Sequence, residues 1–137
     1  MLIREDPATE LTVATRMLAH ANALGERGQV VLLTGEVVYV AGQGISNHTM
    51  TPYDVTIVRL SDGLELFGTP PSDVGRYLDA LRAHPEARAA ALAADGTLVT
   101  AASLPSVVGT LLHRPWDEAL AHATAAGALI GAYPVGD

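Results

Sequence analysis

The sequence predicts an α/β fold in which a mostly antiparallel sheet is flanked by helices. Apolar residues recur at helical spacing in some segments, and short β-branched runs bounded by turn residues lie between them. The resulting order is helix, hairpin, hairpin, helix, strand, helix. Since the chain of 137 residues contains no evident linker or repeat, we expect a single domain over residues 1–137.

The first half of the chain is predicted to form one helix and two hairpins. Asp6 followed by Pro7 is typical of a helix start, and Gly25 of a helix end, so the first helix is expected over about residues 8–24. The predicted strands that follow are 29–34, 36–41, 55–60 and 64–67.

The second half is predicted to begin with a helix that Ser72 caps and that ends at His84-Pro85. Residues 87–94 are alanine-rich and fit either a helix or a strand. A strand at 97–100, a short helix at 104–112 and a long final helix from Pro115 complete the chain. The inner face of that last helix is expected to include Leu120, Ala123, Ala126 and Ile130.

Composition excludes several kinds of chemistry. The net charge is −7 and the eight basic residues are all arginine, scattered along the chain, so a nucleic-acid partner is not expected. The absence of lysine excludes a lysine Schiff base, and the absence of cysteine excludes thiolate catalysis and disulfides. Because no apolar stretch is long enough to span a bilayer and no signal-peptide pattern is seen, we expect a cytoplasmic protein without a membrane partner.

Several segments resemble the class II aldolase/adducin family, in the same order along the chain. Residues 50–63 resemble the family segment in which threonine-proline and an aspartate lead into an apolar strand that ends in aspartate-glycine. Pro70-Pro71-Ser72-Asp73 is similar to the proline-serine-serine-glutamate turn of the family, and residues 84–89 to the piece before its metal-binding strand. The chain is therefore identified as a shortened, degenerate relative of this family.

The resemblance implies a three-layer α/β/α fold, and commonly a cyclic tetramer with active sites between subunits. Enzymes of the family use a divalent metal, usually zinc, to stabilise an enediolate while carbon–carbon bonds are made, broken or epimerised. Their substrates are typically sugar phosphates. Members of the adducin type keep the fold without being enzymes, so the fold alone does not determine the function.

The zinc ligands of the family are three histidines, two of them on one strand. One alignment places that strand near Leu92-Ala93-Ala94, where neither ligand position has a donor. A second alignment deletes this strand and puts Asp95 where the later histidine-glycine turn would supply a ligand. Both alignments predict that no metal site and no cofactor remain, and the five histidines show no spacing typical of metal ligands.

The phosphate-binding loop of the family is also altered. Its glycine is kept as Gly28, but Gln29 and Val31 replace the asparagine and serine. Gln43 and Gly44 form a second loop that offers backbone amides, and an ordinary turn is the alternative. The predicted substrate-binding residues are Arg27, Gln29, Gln43, Gly44 and Asp95.

Three side chains are candidates for acid–base catalysis. Asp73 occupies the position of the family's glutamate, Tyr77 lies one turn later, and His48 belongs to the polar loop before residue 52. Each also has a purely structural interpretation, since aspartate stabilises a first helical turn and loop histidines are commonly solvated.

Three functions therefore remain open. The first is a metal-independent enzyme that acts on a small molecule by lyase, isomerase, dehydratase or cyclase chemistry. The second is a non-catalytic binding or assembly protein, and the third is a partner subunit of another enzyme. A homo-oligomer is expected because the final helix is rich in alanine, and the tetramer rests on the family resemblance alone.

Overall fold

The computed structural model describes residues 6–129, in which one six-stranded antiparallel sheet lies between two layers of helices. The strands lie in the order β4-β3-β2-β1-β5-β6. The helices are α1 (Pro7–His20), α2 (Val74–Ala83), α3 (Leu104–Leu112) and α4 (Trp116–Ala125), with a short 3-10 helix at Pro52–Asp54. The strands are β1 (Val30–Thr34), β2 (Val37–Ala41), β3 (Val55–Arg59), β4 (Glu65–Phe67), β5 (Ala89–Leu92) and β6 (Leu98–Ala101).

The central strands bury both of their faces, which explains their nearly continuous apolar sequences. In β1, Val30 and Leu32 point into one core, whereas Val31 and Leu33 point into the other. The first core is covered by α1, α3 and α4, and the second by α2. This arrangement confirms the predicted three-layer α/β/α fold with an antiparallel sheet. Within residues 6–129, no helix is long and apolar enough to cross a bilayer.

The first helix begins where the sequence predicts but ends earlier. Asp6 is the N-cap, and its carboxylate accepts hydrogen bonds from the Ala8 N–H and the Thr9 hydroxyl. The helix ends at His20 rather than near residue 24, and Asn22 adopts a left-handed backbone conformation. The reason is tertiary: Leu24 forms an isolated β-bridge with Ala93, which requires extended rather than helical backbone.

The alanine-rich segment after α2 is a strand, β5, whose four residues are all buried. It pairs with β1 on one side and β6 on the other, and alanine side chains let helices pack on both of its faces. The final helix is shorter than predicted, because α4 ends at Ala125 and Gly127 takes a positive φ. Its buried residues are Ala119 and Ala123; Leu120 is half-buried, Ala126 is exposed, and Ile130 lies outside the described residues.

Tyr77 links α2, on the second face of the sheet, to the start of β1. Its side chain is fully buried, and its hydroxyl accepts a hydrogen bond of 2.8 Å from the backbone N–H of Gln29, just before β1. Burial raises the pKa of the Tyr77 phenol, and the hydrogen bond from Gln29 opposes that rise. Tyr77 therefore satisfies a buried backbone donor that has no strand partner of its own.

Replacing Tyr77 with phenylalanine is expected to destabilise the fold by about 1–3 kcal/mol, because the Gln29 N–H loses its acceptor. Urea unfolding measures this change, and Tyr53→Phe is the matched control, since Tyr53 is 94% exposed.

Because the pKa of Tyr77 is raised above its ordinary value of 10.0, the wild type should also lose stability as the pH rises through and above that value. Y77F should lose less there; equal alkaline losses in the two proteins would contradict this assignment.

Candidate functional site

A cleft of about 850 Å³ opens where three loops and the end of α1 meet. Its walls come from the end of α1, the turn before β1, the loop after β2 and the segment before α2. The titratable residues in its lining are Glu26, Arg27, His48 and Asp73, so one cation faces two carboxylates. The lining residues are Ala19, Asn22, Leu24, Gly25, Glu26, Arg27, Gln29, Gln43, Gly44, Ile45, Ser46, Asn47, His48, Pro71, Ser72 and Asp73.

The wall before β1 is formed by backbone packed tightly against the end of β5. The Gly25 N–H donates to the Leu92 carbonyl at 2.9 Å, and the Gly28 N–H donates to the Gly25 carbonyl at 2.8 Å. A Cβ atom on Gly25 would lie 2.8 Å from the Ala93 carbonyl oxygen, and one on Gly28 would lie 2.9 Å from the Leu92 carbonyl oxygen. Both positions therefore require glycine for close approach, and this approach carries Arg27 into the cleft.

The loop after β2 forms the opposite wall and is tied to both neighbouring segments. The Gln43 N–H donates to the Thr69 carbonyl, and the Gln43 side-chain oxygen accepts from the Ser72 N–H at 3.0 Å. The Asn47 side-chain amide donates to the Gly28 carbonyl at 2.7 Å. These bonds connect three loops that are distant in sequence, so the walls of the cleft are held together by tertiary contacts.

Asp73 lies at the N-cap position of α2, where the sequence predicted Ser72. The Ser72 N–H is instead bonded to Gln43, and the Asp73 side chain makes no capping hydrogen bond. Its carboxylate is half-buried, and the nearest charged partner is the Arg76 guanidinium at 4.0 Å. The Asp73 oxygens thus cap no backbone N–H of α2, and their contact with that helix is the long ion pair with Arg76, so they can still accept a hydrogen bond from a molecule in the cleft.

The structure brings together six of the eight predicted site residues. The two that do not line the cleft are Tyr77 and Asp95. Tyr77 is in the core, where its fully buried ring packs with Leu78 and Leu81 of α2 in the cluster on the second face of the sheet. Asp95 lies in the exposed β5–β6 turn, where its carboxylate accepts the Thr97 N–H at 2.9 Å, a bond that lowers the pKa of Asp95. The predicted site residues that line the cleft are Arg27, Gln29, Gln43, Gly44, His48 and Asp73.

Two contacts at the cleft were not anticipated from the sequence. His20 and His48 meet edge to face, with ring centroids 5.1 Å apart, and His20 Nε2 lies 3.2 Å from the His48 carbonyl oxygen. Asn47 anchors its loop to Gly28. The spacing of residues along the chain predicts neither contact, because His20 and His48 are 28 positions apart and Gly28 and Asn47 are 19 positions apart.

The described residues do not provide a zinc site like that of the class II aldolases. Within residues 6–129, no group of three or more histidine, cysteine, aspartate or glutamate side chains lies close enough to hold a metal ion. Residues 92–94, where one alignment places the ligand strand, lie at the end of β5 and just after it, and they are leucine and alanine. His20 and His48 together offer two rings, and His20 Nε2 already faces a carbonyl oxygen. The donor set therefore does not fit a metal held by three protein ligands.

The chain is similar to known proteins in its three-dimensional structure, whereas comparisons of its sequence find no match. No protein-family model matches the chain, and no curated protein matches it in sequence. An L-fuculose 1-phosphate aldolase from Glaciozyma antarctica PI12 superposes with a TM-score of 0.65 at 13% identity, covering 95% of this chain and 76% of that one. A second L-fuculose 1-phosphate aldolase superposes with a TM-score of 0.56 at 16% identity, covering 63% of this chain and 42% of that one.

A third similar structure is YgbL from Escherichia coli, a candidate aldolase, epimerase or decarboxylase. It superposes with a TM-score of 0.52 at 25% identity, and the matched region is 61% of this chain and 42% of that chain. The chain thus spans less than half the length of two of these three structures. The predicted resemblance to class II aldolases is confirmed at the level of the fold.

Proposed function

We propose that this chain, whose fold is class II aldolase-like, binds a small molecule in the cleft and catalyses lyase- or isomerase-type acid–base chemistry without a bound metal. One observation supports the proposal. The same cleft is lined by an arginine, a histidine, an aspartate and side-chain amides, which come from the segments around residues 27–29, 43–48 and 73. Its volume of about 850 Å³ is within the range of small-molecule sites.

In this proposal Asp73 is the general base. Its carboxylate is half-buried at the cleft and makes no capping bond, so it can accept a proton from a bound hydroxy-carbonyl compound. In an isomerisation the proton comes from the hydroxyl-bearing carbon next to the carbonyl, and the C–H electrons turn the carbonyl into an enolate. The proton then returns to the former carbonyl carbon, while the hydroxyl proton of the first carbon passes to the former carbonyl oxygen. In a lyase reaction the proton comes from a hydroxyl on the carbon β to the carbonyl. The O–H electrons form a new C=O bond as the carbon–carbon bond breaks, the electrons of the broken bond form the enolate, and the enolate carbon takes up the proton.

Arg27 and His48 supply the complementary groups. Arg27 is exposed in the cleft wall, with a left-handed backbone that projects from the turn between Gly25 and Gly28. Its guanidinium can stabilise the negative oxygen of an enolate, the role that a metal ion fills in other enzymes of this fold. His48, on the opposite loop, is the residue that we assign to proton return.

If Asp73 is the base, Asp73→Asn should lower turnover by about 10²–10⁴-fold in a screen of small hydroxy-carbonyl compounds, because asparagine cannot accept the proton. Asp79→Asn is the matched control, since Asp79 is an exposed aspartate of the same helix that pairs with Arg82. Thermal unfolding of both variants should stay close to that of the wild type. A D73N protein as active as the D79N protein would exclude Asp73 as the base.

Metal independence has its own test. Inductively coupled plasma mass spectrometry of protein purified without chelators should find well under one zinc ion per chain, because the described residues do not present three ligands together. Turnover should be insensitive to a chelator. One full equivalent of zinc, or activity that disappears on chelation and returns with zinc, would overturn this part of the proposal.

We also propose an assembly role, in which two copies of the chain associate through their β4 edges. The exposed edge of β4 is the observation that favours it. Strand β4 ends the sheet, so part of its backbone has no strand partner, and Leu66 and Phe67 on it are 46% and 61% exposed. An antiparallel β4–β4 contact between two copies would satisfy that edge and bury these side chains. By contrast, α4 already buries Ala119 and Ala123 within its own chain.

Phe67→Lys should therefore shift the chain toward monomer in light scattering coupled to size exclusion. The matched control is Ala121→Lys, which adds the same charge to an exposed position of α4. A wild type that is monomeric at all concentrations would contradict the proposal. So would dissociation caused by A121K instead of F67K.

A further inference from the structure

Two side-chain oxygens at the cleft are enclosed and have no hydrogen-bond partner. They are Oε1 of Gln29 and Oδ1 of Asn47, and both residues line the cleft. Gln29 is only 9% exposed. A buried acceptor that meets no donor destabilises a folded chain, so such groups are rare unless water, an ion or a ligand supplies the missing donor.

The two amides belong to one patch of the cleft wall around Gly28. Asn47 Nδ2 donates to the Gly28 carbonyl at 2.7 Å, which defines the orientation of this amide and leaves Oδ1 as its unused end. Gln29 follows Gly28 directly, and its backbone N–H and carbonyl are already bonded to Tyr77 and Leu92. The side chain of Gln29 is therefore the part of that residue with hydrogen-bonding capacity to spare.

We propose that Gln29 and Asn47 form a subsite for hydroxyl groups of a neutral polyol or sugar. This inference rests on the proposed function, since it describes the substrate of the same cleft. Two acceptor oxygens require donors, which a pair of hydroxyl groups provides. A phosphate ester presents mainly acceptor oxygens and negative charge, and it would meet these oxygens together with Glu26 and Asp73.

The remaining groups of the cleft suit the same ligand class. A hydroxyl that donates to an amide oxygen still has lone pairs to be satisfied, and Arg27 supplies donors for them. Gln29 Oε1 is enclosed in this conformation, and because the terminal torsion of a glutamine side chain is soft, the inference requires it to turn toward a bound hydroxyl. A site of this kind discriminates strongly against analogues that lack the hydroxyl, because the amides are then left unpaired.

The first experiment is a titration followed by nuclear magnetic resonance of the backbone amides, with erythritol and ribitol compared with erythritol 4-phosphate and inorganic phosphate. The neutral polyols should shift the resonances of residues 28, 29 and 47 and bind at least about tenfold more tightly than erythritol 4-phosphate. Equal or tighter binding of the phosphate ester, or no shift with either polyol, would overturn the inference. Tighter binding of an amino analogue of the polyol would overturn it in favour of an ammonium ligand.

The second experiment compares Gln29→Met with Thr15→Val. Thr15 Oγ1 is also buried and unpaired, but Thr15 is in α1 and does not line the cleft. Both substitutions remove an unsatisfied oxygen at nearly constant shape, so neither should lower the melting temperature. Only Q29M should weaken polyol binding, by about tenfold or more. Equal affinity in the two variants would contradict the subsite.

These outcomes are separable from the test of Asp73. If phosphate esters bind in the cleft and D73N abolishes turnover, the inference fails while the proposed function stands. If polyols bind at residues 28, 29 and 47 but D73N remains as active as D79N, the subsite stands and Asp73 is not the base.

Discussion

The cleft depends on one close backbone crossing, in which the turn between α1 and β1 rests on the end of β5. Gly25 donates to the Leu92 carbonyl, and a Cβ atom on Gly25 or Gly28 would come within 3 Å of backbone oxygens. From this crossing the Gly28 carbonyl receives the Asn47 amide, and Gln29 donates to the Tyr77 hydroxyl. A main-chain contact that only glycine permits thus connects the sheet, the helix on its second face and both walls of the cleft.

Elements defined by local periodicity and capping were predictable from the sequence. Helix α3 has the predicted bounds, and Asp6 caps α1 as expected. Two of the errors have long-range causes. Helix α1 ends early because Leu24 bridges to Ala93, and Asp73 rather than Ser72 occupies the N-cap of α2, with the Ser72 N–H bonded to Gln43. No local pattern in the chain encodes either contact.

The candidate site was predictable to the extent that its residues resemble a family motif or carry obvious chemistry. Asp73 and Arg27, which both line the cleft, were candidates on those grounds. Tyr77 was misplaced because a buried tyrosine and a catalytic one have the same spacing along a helix, and only the packing of α2 on the sheet separates them. The contribution of Asn47 depends on a hydrogen bond across 19 residues, which spacing cannot reveal.

The glycine crossing also separates the atoms that shape the cleft from several of the side chains that line it. The turn before β1 is shaped by main-chain contacts, whereas Glu26, Arg27 and Ser46 are exposed at the cleft surface and contribute little to either core. Substitutions at those positions should be nearly neutral for folding. Such a scaffold can change ligand preference by drift in a few surface side chains while the main-chain geometry of the cleft stays the same.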